Sequence, residues 1–160
     1  MHYFNTRPDP LSVAFTKKFP CESHFGLWST MGALIISQRL FGFTTKLGKV
    51  PEPGEETLDS TAGIRVLMFD RIMEKYVDDM EQIVILGAGF HLIALHFTKG
   101  KKVKVFELDQ VNTLYVKVET LKKAGIKHDW ITYIPVDYSN ESWVDKLLEA
   151  DFDKTKKTLL

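Results

Sequence analysis

The chain has almost no cysteine, no excess of either charge and no long apolar run. Cys21 stands alone among 160 residues, so no internal disulfide can form and a reducing compartment is favoured. Lys plus Arg and Asp plus Glu each number 21, which gives no support for nucleic-acid or anionic-membrane binding. The most apolar N-terminal run, residues 27–36, is shorter than the ~20 residues that span a bilayer.

What remains is the composition of a soluble globular protein. Hydrophobic residues make up 44% of the chain and charged residues 26%, and the length can bury a real core. The segment 1–10 has prolines and no apolar core, so we expect no secretory signal and a cytoplasmic location.

Proline and glycine divide the chain near its middle. Residues 46–60 contain two prolines, two glycines and two adjacent glutamates, which indicates an exposed connection. We therefore predict an N-terminal helical and irregular lobe with its linker over residues 1–60, including a helix at 29–43. A second domain is predicted over 61–160, beginning with an amphipathic helix at 61–80. Its predicted apolar face carries Ile64, Leu67, Met68, Ile72 and Tyr76.

The second half alternates between short apolar runs and helical patterns. Continuous apolar strands separated by helices are typical of a parallel sheet buried on both faces, and so of an α/β fold. Strands are predicted at 83–86, 103–108, 131–136 and from 157 onward. Helices are predicted at 90–98, 111–124 and 142–150, with Gly125 as the C-cap residue of the second.

A glycine turn follows the first strand. Gly87 and Gly89 allow a tight turn and close approach of a ligand to the backbone, and the predicted helix beyond them offers free N–H groups. A dinucleotide fingerprint needs a third small residue three places later, where this chain has Leu92. The turn therefore favours a cofactor without a pyrophosphate, such as S-adenosylmethionine, over NAD or a flavin.

Acidic residues end the next two strands. Glu107 and Asp109 lie on one side of the second strand, and a carboxylate at that tip can accept the hydroxyl protons of a ribose. We favour Asp109, which is nearer the open end. Asp137 ends the third strand beside Tyr138, where the pair could meet an adenine. Asp137 could instead be an N-cap of the following helix.

Histidine does not point to a metal site. His91 and His96 are five residues apart, so they do not share a helical face, and no cysteine cluster is near them. No Ser-His-Asp or Cys-His arrangement is found either, and Cys21 has no identifiable partner base. We predict no metal, and name no catalytic residue.

These motifs together resemble the leucine carboxyl methyltransferase family, a branch of the S-adenosylmethionine-dependent methyltransferases. The resemblance is strong over residues 61–160 and loose over 12–60. It implies a Rossmann-like class I methyltransferase fold, and O-methylation of a carboxyl group on a small molecule or a protein C-terminus. The runs that carry it are Val84-Ile-Leu-Gly-Ala-Gly-Phe90, Val105-Phe-Glu-Leu-Asp109, Lys122-Lys-Ala-Gly-Ile126 and Tyr133-Ile-Pro-Val-Asp-Tyr138, with Arg7-Pro-Asp-Pro-Leu11 similar to the bacterial branch.

The resemblance also implies a set of contacts to S-adenosylmethionine. Arg65 would pair with the cofactor's carboxylate, because a guanidinium offers paired donors. The loop at Gly87 and Gly89 would lie against the methionine part, and Asp109 would hold the ribose. Asp137 with Tyr138 would hold the adenine end.

The chain departs from the family in two places. His91-Leu92-Ile93 stands where the family has Asp-Thr-Arg after its glycine loop, so an acidic and a basic group near the methionine end are replaced. The family also continues well past the fourth strand, whereas this sequence stops at Leu160, so we expect an N-terminal half of the fold. The alternatives are a truncated, non-catalytic remnant or interaction module and, less favoured, an NAD-dependent oxidoreductase.

Overall fold

The computed structural model describes residues 9–20, 29, 32, 36, 40–41 and 58–160. The chain divides into two compact units, Met1–Arg71 and Ile72–Leu160. The domain boundary predicted between residues 60 and 61 stays a prediction. Cys21 and most of the predicted connection 46–60 lie outside the described residues.

In the first unit, helix α1 (Pro10–Thr16) begins where the sequence dictates. The Asp9 carboxylate accepts the Ser12 N–H at 2.9 Å, and Pro10 opens the helix, where its missing N–H costs nothing. Phe15 is buried and its ring lies 5.5 Å from that of Phe19. Of the helix predicted at 29–43, the described residues 29, 32, 36, 40 and 41 are helical.

The long helix α2 (Leu58–Tyr76) begins three residues before its predicted start, so the preceding connection ends sooner than expected. It passes at its end into a short 3₁₀ turn, Val77–Asp79. The predicted apolar face is wrong at two positions, since Met68 is 56% and Tyr76 is 37% exposed. Among the side chains that the structure describes, the buried ones are Asp70 and Met73 on the helix and Val77 in the turn after it. They follow a spacing of three and four residues, turned around the helix from the predicted stripe.

The second unit is built on a four-stranded sheet in which the order is β3-β2-β1-β4 and every pairing is parallel. This order is that of the first half of a Rossmann-like sheet, and it confirms the predicted α/β fold. The strands are β1 (Gln82–Leu86), β2 (Lys104–Asp109), β3 (Ile131–Pro135) and β4 (Thr158–Leu159). The helices between them are α3 (Ile93–Thr98), α4 (Val111–Lys123) and α5 (Trp143–Glu149).

Burial is not the same along all strands. The central strands β1 and β2 are buried through most of their length, as continuous apolar runs predict. Strand β3 is only partly buried: Ile131 and Ile134 are buried, whereas Thr132 and Pro135 are exposed. The prediction of full burial fails for β3 because it lies at the edge of the sheet.

One face of the sheet packs a hydrophobic cluster against α5 and the segment after it. Phe106 and Leu108, two residues apart on β2, are at most 2% exposed and lie at its centre. The Phe106 ring meets Phe152 edge-on at 5.8 Å. The other members of the cluster are Val84, Ile134, Val136 and Leu147, with Trp143, Ala150 and Phe152 packed against them.

The helix ends follow their capping residues. Gly125, predicted as the C-cap residue of α4, stands one residue beyond the C-cap, Ala124, and has the left-handed φ of +67° that ends helices in this way. The Ser142 hydroxyl caps α5 by accepting the Asp145 N–H at 3.3 Å. Within the described part of the chain, no helix combines the length and apolar character that crossing a membrane requires.

Candidate cofactor site at the carboxyl edge of the sheet

The carboxyl ends of β1, β2 and β3 meet at one edge of the sheet. In open parallel sheets this edge is where ligands bind, because the loops leaving neighbouring strands diverge there. It gathers five of the six residues predicted for the cofactor: Gly87, Gly89, Asp109, Asp137 and Tyr138. The sixth, Arg65, is exposed and lies on α2 in the first unit, and its pairing with a cofactor carboxylate stays a prediction.

The glycine loop, residues 87–92, begins in a conformation that needs glycine. Gly87 has φ of +63° and Gly89 of +49°, the left-handed region that other residues enter only with strain. A Cβ at Gly87 would meet no atom within 4 Å, so the space beside the turn is open. The loop is tied to β2, since the N–H groups of Gly87 and Ala88 both donate to the Leu108 carbonyl, at 2.9 and 3.2 Å.

Asp109 is held in place at the tip of β2 by two backbone donors. Its Oδ2 accepts the Gly89 N–H at 2.6 Å, and its Oδ1 accepts the Gln110 N–H at 2.7 Å. The side chain is half-buried, and each carboxylate oxygen keeps acceptor capacity beyond these bonds. The Asp109 carboxylate is therefore fixed in place and can still accept further hydrogen bonds at the open edge of the sheet.

Asp137 organises the turn after β3. Its Oδ1 accepts the Ser139 N–H at 3.0 Å and its Oδ2 accepts the Asn140 side-chain amide at 2.7 Å. These bonds lower the pKa of the Asp137 carboxyl, because they favour the ionised form. The alternative that Asp137 is a helix N-cap is wrong, since Ser142 takes that place.

Tyr138 bridges the first and third strand ends. Its hydroxyl donates to the Leu108 carbonyl and accepts the Gly87 N–H, both at 3.1 Å. The side chain is still 42% exposed, so the ring forms part of the surface beside the glycine loop. The structure therefore brings Tyr138, Gly87 and the β2 tip together, as the prediction of one site requires.

Glu107, the other carboxylate considered for the ribose, is buried. Its Oε2 accepts a hydrogen bond from Lys117 Nζ at 2.7 Å. The Glu107 side chain is 1% exposed and the Lys117 side chain 0%. Burial raises the pKa of the Glu107 carboxyl, although the charge of Lys117 opposes the shift. Glu107 is thus a core residue, whereas Asp109 lies half-buried at the open edge of the sheet.

The helix after the glycine loop begins later than predicted. Helix α3 begins at Ile93 rather than at residue 90, and the His96 N–H donates to the carbonyl of its N-cap, Leu92. Two contacts hold the segment before it: the His91 N–H turns back to the Ala88 carbonyl, and the His91 carbonyl accepts a hydrogen bond from Lys117 Nζ at 2.8 Å. The glycine loop therefore does not open directly into a helix.

Lys117 is the residue that sequence reasoning missed. It stands on α4 among Leu114 and Leu121, at a spacing of three and four residues, where an apolar side chain is expected. The signal in the sequence for this buried pair was a lysine on the buried face of a helix, directly after a strand that carries a glutamate. Gln82 was also missed; it is fully buried and its side-chain amide exchanges hydrogen bonds with the Asp153 backbone at 2.8 and 3.0 Å.

Metal ligands do not gather at this edge. Among the residues that the structure describes, no group of three or more His, Cys, Asp or Glu side chains could hold a metal ion. The site offers backbone N–H groups, fixed carboxylates and aromatic surface.

A parallel sheet of this strand order, with a glycine turn after β1 and a carboxylate at the tip of β2, defines a Rossmann-like domain. Residues 32–160 match the family model described as leucine carboxyl methyltransferase. The chain belongs to that family. A comparison with curated proteins gave no match.

Solved structures similar to this chain include three with low identity. The S-adenosylmethionine-dependent methyltransferase SibL is 16% identical, with 84% of this chain and 46% of that chain covered and a TM-score of 0.42. Mitomycin 7-O-methyltransferase MmcR is 11% identical, with 88% and 44% covered and a TM-score of 0.40. The [4+2]-cyclase SpnF is 13% identical, with 74% and 43% covered and a TM-score of 0.40. The chain spans less than half of each of these structures.

Proposed function

We propose that this chain carries the S-adenosylmethionine site of a methyltransferase acting on a carboxylate oxygen. The observation that supports it most is the Asp109 carboxylate, fixed by the Gly89 and Gln110 N–H groups at the open end of β2. A ribose is the cofactor part that two fixed acceptor oxygens suit. Membership of the leucine carboxyl methyltransferase family supports the choice of a carboxylate as methyl acceptor.

The other predicted contacts fit the cofactor in kind. The open space at Gly87 lets a ligand approach the backbone, which suits the methionine part. Asp137, held by its turn and exposed, can accept the amino protons of an adenine, and the Tyr138 ring can lie against its face. Arg65 is exposed, as a partner for a carboxylate needs to be.

When bound, S-adenosylmethionine supplies a methyl group on a sulfonium, open to attack by an oxygen. A carboxylate acceptor is already ionised at neutral pH, so no general base is needed from the chain. The task left to the residues at this edge is to hold and orient, with Asp109 and the glycine loop fixing one partner against a rigid sheet. The acceptor is proposed as a small acid or a protein C-terminus.

Two features of the glycine loop count against a dinucleotide. Leu92, at the place of the third small residue, is buried and 4% exposed, so that position is filled by a bulky side chain. Helix α3 begins at Ile93, four residues after Gly89, so its N-terminus does not follow the glycine turn directly. A pyrophosphate needs both the small residue and the adjacent helix end.

Calorimetric titration of the 160-residue chain with S-adenosylhomocysteine tests the proposal. We expect saturable binding that Asp109→Ala weakens by at least about tenfold, because hydrogen bonds to a carboxylate are worth about 1.5–3 kcal/mol. The matched control is Asp129→Ala, an exposed aspartate just before β3 and so at the opposite edge of the sheet. NAD in place of the nucleoside should give no heat.

A folded chain that binds neither ligand would refute the cofactor site in this protein. Binding of NAD that Asp109→Ala also removes would move the proposal to an oxidoreductase. Equal loss of affinity in Asp109→Ala and Asp129→Ala would show that the loss does not come from the β2 tip.

A further inference from the structure

Lys117 and Glu107 form a charged pair of a kind that proteins rarely bury without a reason. Both side chains are at most 1% exposed. Removing two charges from water costs more than the pair usually returns, and apolar replacements are often as stable. Glu107 Oε1 has no hydrogen-bond partner among the described residues, so the pair is not even fully satisfied. Stability alone therefore does not account for it.

A further hydrogen bond of Lys117 indicates what the pair does. Lys117 Nζ, 2.7 Å from Glu107, also donates to the His91 carbonyl at 2.8 Å. His91 lies in the glycine loop, two residues beyond Gly89, whose N–H is bound to Asp109. The loop is therefore held at two points from the same face of β2. Asp109 holds it directly, and Glu107 holds it through Lys117.

We propose that Lys117 is a positioning residue for cofactor binding: it fixes the glycine loop through the His91 carbonyl, and Glu107 holds its ammonium in the direction of the loop. The proposal rests on the proposed function of the glycine loop as the cofactor site. An ammonium can donate to the carboxylate and to a backbone carbonyl at once, which no apolar side chain can do. With this bond gone, the loop would keep its ties to β2 at Gly87, Ala88 and Gly89, but the part around His91 would lose the bond to Lys117 and become more mobile.

The double variant Glu107→Gln with Lys117→Met separates positioning from stability. Both charges leave together, and Gln and Met are close in size to the side chains they replace, so we expect a urea midpoint close to that of the wild type. The bond to His91 is lost, so amide hydrogen exchange in the glycine loop should be about tenfold faster, while exchange in β2 and β3 stays unchanged. Affinity for S-adenosylhomocysteine should fall by a similar factor.

Two further variants complete the test. Lys104→Met is the matched control. Lys104 is the first residue of β2, at the end of the strand away from the site, and it is also bound to a carboxylate, that of Asp151. It should leave loop exchange and affinity at wild-type values. Should the double variant fail to fold, the wholly apolar pair Glu107→Leu with Lys117→Met takes its place, with the same expectation.

The outcomes are distinct from those of the cofactor proposal. Wild-type exchange in the glycine loop of a folded double variant would overturn the role of Lys117. Faster exchange with unchanged affinity would overturn its link to binding. A wild-type chain that does not bind S-adenosylhomocysteine would refute the proposed function, whereas faster loop exchange in the variant would still support ordering of the loop by Lys117.

Discussion

The middle and the open end of β2 carry one carboxylate each, two residues apart on the same face of the sheet. Glu107 is fully buried and bound to a lysine, whereas Asp109 is half-buried and bound to two backbone N–H groups. The same chemical group therefore has a structural partner at one position and free acceptor capacity at the next. Position along a parallel strand, more than residue type, decides which carboxylate can meet a ligand.

The contrast also separates the two kinds of cost that a mutation can have. At Glu107 a change leaves a charge stranded in the core, so the loss falls on folding. At Asp109 the released N–H groups can turn to water, so the loss falls on binding. Three measurements test this division.

The largest effect is expected from Lys117→Met alone, which leaves Glu107 buried without its counter-charge. Burial already raises the pKa of Glu107 above its ordinary 4.5, and removing Lys117 raises it further. A group with a raised folded-state pKa contributes stability below its unfolded value and loses it as pH rises through the folded value. We expect the deficit in unfolding free energy to grow above pH 4.5 toward about 3–5 kcal/mol.

Urea unfolding of wild type and variant at several pH values measures this deficit. The control is Glu107→Gln with Lys117→Met, whose difference from wild type should change much less with pH. A deficit of the same size at pH 4 and pH 8 would mean that lost packing, not charge, is the cause.

A smaller effect on folding is expected from Asp109→Asn. The amide keeps one acceptor oxygen for the Gly89 N–H, and the Gln110 N–H lies near solvent, so the loss of unfolding free energy should be about 1 kcal/mol. Affinity for S-adenosylhomocysteine should nevertheless drop markedly. The same urea series, run beside the titration, compares the loss of unfolding free energy with the loss of affinity. A loss of unfolding free energy as large as that of Lys117→Met would contradict the proposed difference between Glu107 and Asp109.

The smallest effect is expected next to the buried carboxylate. His128 packs edge-on against the Tyr133 ring, 5.6 Å between centroids, and Tyr133 is the cross-strand neighbour of Glu107. Burial, and then the charge of Lys122, lowers the pKa of His128 below 6.5. Stability from this group is present above pH 6.5 and is lost as pH falls. In urea unfolding at several pH values, His128→Gln should reduce the dependence of the unfolding free energy on pH below 6.5. An unchanged dependence would show that other groups cause it.

Much of the fold could be predicted from local pattern. The apolar runs placed β1, β2 and β3 within one residue of their ends, and the Gly87 turn and the Gly125 cap follow from backbone freedom that glycine alone has. The preference for Asp109 over Glu107 came from its place at the strand end. The structure confirms that Asp109 faces the open edge and that Glu107 does not, while the cofactor contact itself stays a prediction.

The rest depended on contacts between residues far apart in sequence. The segment before α3 is held by Lys117 binding the His91 carbonyl, a contact across 26 residues that no helix signal contains. The buried face of α2 includes Asp70, which hydrophobic periodicity places outside. Tertiary packing overrode the local preference in both cases.

The bridge from the Tyr138 hydroxyl to Gly87 spans 51 residues of chain. Contacts of such separation must close long loops before they bring any gain, so they tend to form late on the folding path. The carboxyl edge would then be largely unformed in the folding transition state. A ligand bound there would act mainly on the unfolding rate, lengthening the lifetime of the folded chain while leaving its rate of folding almost unchanged.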